Sequence, residues 1–171
     1  YSDGCCIFWK RDLFELVAQR RGGYTVGSQV YIAATLRHRE SGKILLVAAT
    51  HLKAQCNEQN EKVRCLEIQE LLDVVDAEEA CLSLNGAGVP VLLLGDFNTD
   101  PPSQAGFADS AIGHLLSHKS SLGYGSFQST YDISEPPESL FTTWKIRGMV
   151  STKRIIDYIF YRGGLSCTAT L

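Results

Sequence analysis

The sequence holds no apolar run near the roughly 20 residues needed to cross a bilayer, so no transmembrane helix and no membrane partner are expected. It has no excess of positive charge: 16 Lys and Arg stand against 19 Asp and Glu, for a net −3 with histidine neutral. A global basic field that would draw in nucleic acid is absent, and DNA is not expected as a partner. From Cys65 to His118 there is no Lys or Arg at all, but nine acids. A phosphate-bearing ligand must therefore be met by the flanks. There is no Cys-x-x-Cys pair among the six cysteines, which argues against a zinc site. Four of the six lie within apolar patterning and read as small buried thiols of a reducing compartment. Internal repeats, low-complexity tracts and domain linkers are also missing. What remains is a single domain with ordinary hydrophobic content, 44%, and enough length for a core. The chain opens on Tyr1 with no basic-then-apolar leader and ends abruptly after Leu165 to Leu171, read as a strand cut in mid-course. It is expected to be a piece of something longer.

The strongest positive signal is Val89 to Asp100, Val-Pro-Val-Leu-Leu-Leu-Gly-Asp-Phe-Asn-Thr-Asp. An unbroken apolar run closed by Gly95 predicts a strand, Val89–Leu94, buried on both faces. Open α/β sheets bind ligands beyond the carboxyl ends of such strands, where Asp96 and Asn98 stand.

Earlier in the chain, Gly4–Lys10 and Leu13–Val17 read as short strands, and Gly22-Gly23 as a loop. Ser28–Arg39 and Lys43–Thr50 read as a hairpin about Glu40-Ser41-Gly42. Asn57 to about Leu84 carries the longest helical signal, with Ile68, Leu71, Leu72 and Val75 at i, i+3, i+4 and i+7. Asn57 suits the N-cap, Glu58 and Glu61 the first turn, and Asn85 to Gly88 the close. Strand, long helix and strand form a βαβ unit, which predicts parallel pairing of Lys43–Thr50 with Val89–Leu94. That pairing brings His51, Lys53, Asp96 and Asn98 to one sheet edge. Further on, Pro101 to Leu116 reads as a short helix, Ser117–Ser139 as a long loop, and Phe141–Ile146 and Arg154–Arg162 as strands. Gly163-Gly164 turns into a last strand from Leu165.

Each candidate has a bland counterpart. Asp96 and Asn98 serve a turn equally well. With Asp100 they also fit the start of a calcium loop, except that Pro101-Pro102 stand where that motif needs glycine. His51 can donate to developing phosphoryl charge and Lys53 can anchor a phosphate, or both can belong to a solvated loop. Asp157, alone in an apolar strand, needs a partner: Arg154, a backbone N–H, or an imidazole that it orients. His114 and His118 stand at i, i+4 but lack a third metal ligand. Trp9 and Trp144 read as core anchors, Trp144 alternatively as part of a site mouth.

With these residues in view, the chain resembles the endonuclease/exonuclease/phosphatase superfamily. Gly95-Asp96-Phe97-Asn98 resembles its Gly-Asp-x-Asn motif, Thr50-His51-Leu52 its Thr-His-Leu motif, and Ile156-Asp157-Tyr158 its (Leu/Ile)-Asp-Tyr motif. The deadenylase-like branch is most similar. Phe141-Thr142-Thr143-Trp144-Lys145-Ile146-Arg147, with Thr50 to Ala54, resembles one member of it in particular. The resemblance covers about Asp3 to Arg162, so residues 1–171 read as the central and C-terminal part of one such domain, incomplete at both ends. It implies a DNase-I-like α/β sandwich of two sheets flanked by helices. It implies a Mg2+-dependent phosphoester hydrolase that takes the 2′-phosphate from NADP(H), or alternatively a 3′ exonuclease acting on poly(A) RNA. Asp96 is implied as base or water-orienting group and metal ligand, and Asn98 as holding the scissile phosphate. His51 is implied as stabilising the transition state, Asp157 as fixing a catalytic His, and Lys53, Trp144 and Lys145 as meeting substrate. The superfamily's metal-binding Glu lies upstream of this stretch, and its Ser-Asp-His motif downstream. Alone, the segment is expected to be inactive, which leaves a third alternative of a truncated binding fragment. Gln55 stands where the resembling member carries Arg. A cytoplasmic location is expected, with a mitochondrial one left open by whatever precedes Tyr1.

Overall fold

The computed structural model describes residues 4–83, 88–120, 122 and 124–168. Ten elements follow one another: β1 (Phe14–Gly23), β2 (Val30–His38), β3 (Ile44–His51), α1 (Glu58–Leu82), β4 (Val91–Asp96), α2 (Ala111–Ser117), β5 (Gln128–Ser129), β6 (Thr143–Arg147), β7 (Val150–Arg154) and β8 (Asp157–Arg162). Six strands form one sheet in the order β1-β2-β3-β4-β8-β5, and β6 with β7 forms a separate hairpin. The class is the expected α/β sandwich type.

The βαβ inference holds. β3 and β4 are parallel, from Leu46 opposite Val91 to His51 opposite Asp96. The connecting helix begins where its caps dictate, since the Asn57 side chain accepts from the Asn60 N–H at 2.9 Å. Its apolar stripe, Ile68, Leu71, Leu72 and Val75, is buried with Leu46, Ala48, Val91 and Leu93 from one sheet face. That contiguous apolar core is the main drive to fold. The other face is covered more lightly. Leu92, Leu94 and Val47 meet Ile7, Trp9 and Phe14 there. The β4 run is thus fully buried on one face and half-buried on the other.

Several elements differ from expectation. Gly4–Lys10 forms no strand; Ile7 and Trp9 are spent covering the outer sheet face. β1 runs on through Gly22-Gly23, where Tyr31 crosses so closely that a Cβ on Gly22 would meet its ring at 2.6 to 3.0 Å. Pro101 to Leu116 is helical only from Ala111, where Ser110 caps Gly113 N–H at 2.9 Å. The Arg154–Arg162 run is broken at Ile155-Ile156, both buried, so that Arg154 ends β7 and Asp157 begins β8. Residues 165–168 are irregular rather than a strand, and the rest of that predicted strand lies outside the described residues, as do Asn85 to Ala87. Only Cys65 of the six cysteines is buried; Cys5 is partly buried, and Cys6, Cys56, Cys81 and Cys167 are exposed, all but Cys81 of these five lying outside helices and strands. No helix among the described residues is long and apolar enough to cross a membrane.

Candidate functional site

Strand register decides what meets at the edge of the sheet. His51 stands opposite Asp96 across β3 and β4, and Asp157 stands opposite Asp96 across β4 and β8. Directly opposite residues share a face, so the three side chains form a row. Alternation puts that row on the face of Val47, Leu92 and Leu94, away from α1. His51 Nε2 lies 3.9 Å from Asp96 Oδ2, with both side chains about one-third exposed (34% and 35%). This is an electrostatic contact rather than a hydrogen bond.

Local geometry aims these groups. Gly95 is required at its position. Its φ is +147°, and a Cβ would meet the Thr50 carbonyl oxygen at 1.9 Å. Asp96 Oδ1 accepts the Asn98 N–H at 2.9 Å, an Asx-turn that holds Asn98 at φ +53°. Asn98 Nδ2 donates to the Leu52 carbonyl at 2.9 Å and pins this turn to the end of β3. Burial lifts the Asp96 carboxyl above the ordinary aspartate range, and the charge of Asp157 adds to the lift. The Asn98 amide, His51 and Lys145 act in the opposite sense.

Asp157 is not paired with Arg154. Its Oδ2 accepts from Thr143 Oγ1 at 3.2 Å, while its own N–H donates to Thr142 Oγ1 at 3.0 Å. Arg154 instead forks onto Asp100, Nε to Oδ1 at 3.0 Å and Nη2 to Oδ2 at 2.8 Å. That pairing takes Asp100 out of any calcium loop with Asp96 and Asn98. His118 lies beyond α2, with Nε2 3.2 Å from Asp76 Oδ1, and shares no ligand geometry with His114.

A cleft of about 350 Å³ opens beside Asn98, lined by Ala54, Gln55, Lys145, Arg147, Val150, Thr152 and Arg154. Lys145, Arg147, Thr152 and Arg154 come from one face of the β6–β7 hairpin. Trp144 lies on the opposite face, where its Nε1 donates to Ser151 Oγ at 2.7 Å and Lys153 Nζ sits 5.0 Å from its ring centroid. The structure therefore brings Lys145 to the cleft and turns Trp144 away. Lys53 is held through its backbone, N–H to Glu67 Oε2 at 2.8 Å and carbonyl to Arg64 Nη1 at 2.6 Å. Neither Arg147 nor Arg154 is marked by the sequence as a cleft residue: Arg154 reads there only as a possible partner of Asp157, and Arg147 only as part of the stretch Phe141 to Arg147. The alternation of Lys145 with Arg147 on one strand face was the available signal.

Among the described residues no three His, Cys, Asp or Glu groups converge as a metal set. Asp96 and Asp157 place hard carboxylate oxygens at adjacent strand positions, the donor type that suits Mg2+. The pair fits such an ion in kind and would supply at most part of a ligand shell.

Comparison with known proteins adds four findings. The Endonuclease/Exonuclease/phosphatase family matches residues 1–170. Nocturnin of Xenopus laevis is 36% identical over 165 residues, 93% of this chain and 38% of that protein. The probable CCR4-Not complex 3'-5'-exoribonuclease subunit Ccr4 of Encephalitozoon cuniculi is 28% identical over 198 residues, 99% of this chain and 38% of that protein. Among solved structures, the human Nocturnin catalytic domain with bound sulfate aligns at TM-score 0.63 and 28% identity, over 88% of this chain and 49% of that one. The chain thus spans less than half the length of the curated relatives it matches.

Proposed function

The chain belongs to the endonuclease/exonuclease/phosphatase family, and within it we propose that it forms the central part of a Mg2+-dependent phosphoester hydrolase acting on NADP(H). The carrying observation is the row of His51, Asp96 and Asp157 at the end of the β3–β4 pair, set beside a cation-lined cleft. In this reading the ribose 2′-phosphate enters next to Asn98, with Lys145 and Arg147 neutralising its charge. Asp96 takes a proton from the attacking water. The water oxygen bonds to phosphorus, the bond from phosphorus to the 2′-oxygen breaks, and that oxygen leaves with a proton from solvent. His51 stabilises the charge that develops on the phosphoryl oxygens. Asp96 and Asp157 would contribute to holding Mg2+, and the ion would supply further charge neutralisation at phosphorus. Lys53, next to the cleft residue Ala54 in sequence, is a second phosphate contact in this reading.

Hydrolysis of poly(A) from its 3′ end is the second reading, supported by the exoribonuclease name of the Encephalitozoon cuniculi relative. The absence of Lys and Arg from Cys65 to His118 favours the smaller nucleotide, because a long polyanion would need a wider basic track. The test compares phosphate release from NADPH with AMP release from poly(A), using the intact protein with Mg2+ or with EDTA. Mg2+-dependent phosphate release, lost in Asp96→Ala, supports the first reading. AMP release in its place moves the assignment to the second, and full activity of Asp96→Ala removes the role given to that residue.

A further inference from the structure

The long helix carries charge in an unexpected place. Glu61 and Arg64 continue the phase of the apolar stripe of α1, and their side chains are 2% and 0% exposed. The guanidinium forks onto Glu61 Oε2, from Nε at 2.8 Å and from Nη2 at 2.6 Å. Its remaining nitrogen, Nη1, leaves the helix altogether and donates to two carbonyls, Lys53 at 2.6 Å and Gln55 at 2.9 Å. Glu61 in turn accepts from Thr99 Oγ1 at 2.9 Å and from the Ala111 N–H at 2.8 Å.

A buried pair of this kind is costly to desolvate and weakly stabilising for the fold, so stability alone is a poor account of it. Its contacts give a better one. Apart from the Ala111 N–H at the start of α2, they end on Lys53, Gln55 and Thr99, in the two loops that bring Ala54, Gln55 and Asn98 to the cleft. The first loop is held against its own preference. Gln55 sits at φ +75°, a left-handed conformation that a residue with a side chain seldom adopts. Such outliers persist where surrounding contacts over-determine them. Here the contacts are the Arg64 bond to the Gln55 carbonyl and a bond from Asn60 Nδ2 to Gln55 Oε1 at 3.3 Å.

We propose that Arg64 is a positioning residue for substrate phosphate. Through Glu61 it locks the Lys53–Gln55 loop and the Asn98-Thr99 turn into one rigid frame. The frame sets the spacing between Lys53, Gln55 and Asn98, and so acts on binding more than on the bond-breaking step. This inference rests on the proposed hydrolase function for its kinetic arm only.

The test uses the intact protein and two variants. Arg64→Lys keeps a positive charge against Glu61 but cannot span both carbonyls. Thr99→Val removes the hydroxyl that joins the second loop to Glu61. Amide hydrogen exchange of Arg64→Lys is expected to rise about tenfold over residues 53–56 while the β3 and β4 amides stay protected. KM for NADPH is expected to rise about tenfold with kcat within about threefold. Thr99→Val should raise exchange in both loops, because freeing Glu61 loosens Arg64. Unchanged exchange at 53–56 in the folded variants overturns the inference, as does faster exchange with unchanged KM. A rise in exchange across the whole sheet also overturns it, since that marks a purely structural pair. If Arg64→Lys fails to fold, Thr99→Val decides alone. If the parent hydrolyses neither substrate, the functional proposal fails while exchange still judges the frame.

Discussion

The cleft beside Asn98 has two unlike walls. One is the end of the β3–β4 pair, locked from behind by α1. Tyr24 OH meets Thr50 Oγ1 at 2.6 Å, Asn98 is tied to Leu52, and Arg64 grips the adjoining loop. The other is the β6–β7 hairpin, whose strands pair only with each other among the described residues. Its side chains from Trp144 to Lys153 are exposed, and Met149 at its tip is wholly so. Three tethers hold it: the Arg154–Asp100 fork, Thr143 Oγ1 donating to Asp157 Oδ2, and Thr142 Oγ1 accepting from the Ile156 and Asp157 N–H groups. The wall built for fixed geometry carries the proposed chemistry. The more exposed wall carries cations suited to meeting substrate. Preorganised groups act most strongly on a transition state, while exposed charges act mainly on encounter.

Substitutions can break that contrast, beginning with the largest expected effect. Asp96→Asn on the locked wall should lower turnover about a thousandfold, as measured by phosphate release from NADPH. Glu61→Ala leaves the Arg64 guanidinium buried and unpaired, so chemical denaturation should show a loss of about 3–5 kcal/mol. Lys145→Ala on the hairpin should raise KM by about fivefold with kcat near that of the parent.

A fourth prediction concerns pH. Burial lifts the Glu67 carboxyl above its ordinary range, while the bond from the Lys53 N–H and the charges of Arg64 and Lys53 act against the lift. Its Oε1 and Gln29 Oε1 are buried acceptors with no partner among the described residues, and both lie within 3 Å of the position a Gly27 Cβ would take (2.9 and 2.8 Å). A group whose pKa is raised on folding adds stability below its unfolded pKa, and that contribution is lost as pH rises through the folded value. Glu67→Gln removes the loss and lets Nε2 donate to Gln29. It should be more stable than the parent by about 1 kcal/mol at neutral pH, with the gap closing toward acid, as read from denaturation midpoints. Smallest of all, Met149→Ser at the hairpin tip should change stability by less than about 0.5 kcal/mol.

The locked wall was largely legible in the sequence. Apolar runs ending in Thr50-His51 and Gly95-Asp96, joined by a helical period, suffice to predict parallel strands and the meeting of His51 with Asp96. What lay behind that wall was harder to read. Glu61 and Arg64 fall in phase with Ile68, Leu71 and Val75, but charge at such positions reads as a break in the stripe rather than as part of the core. The hairpin was half legible. Phe141–Ile146 shows the strand character of β6, whereas Val150 to Lys153 carries no clear strand signal and Arg154 reads as part of the next strand, because nothing local marks the turn at buried Ile155-Ile156. Trp144 was misplaced for a related reason. Without the register of β6 against β7, the sequence does not say which face of the hairpin meets the cleft.

The most direct test of the contrast is steady-state hydrolysis of NADPH by the intact protein, with Asp96→Asn and Lys145→Ala measured side by side. The predicted result is a collapse of kcat for Asp96→Asn and a rise in KM alone for Lys145→Ala. Asp96→Asn with kcat within about threefold of the parent, or Lys145→Ala with the larger loss of kcat, would contradict it.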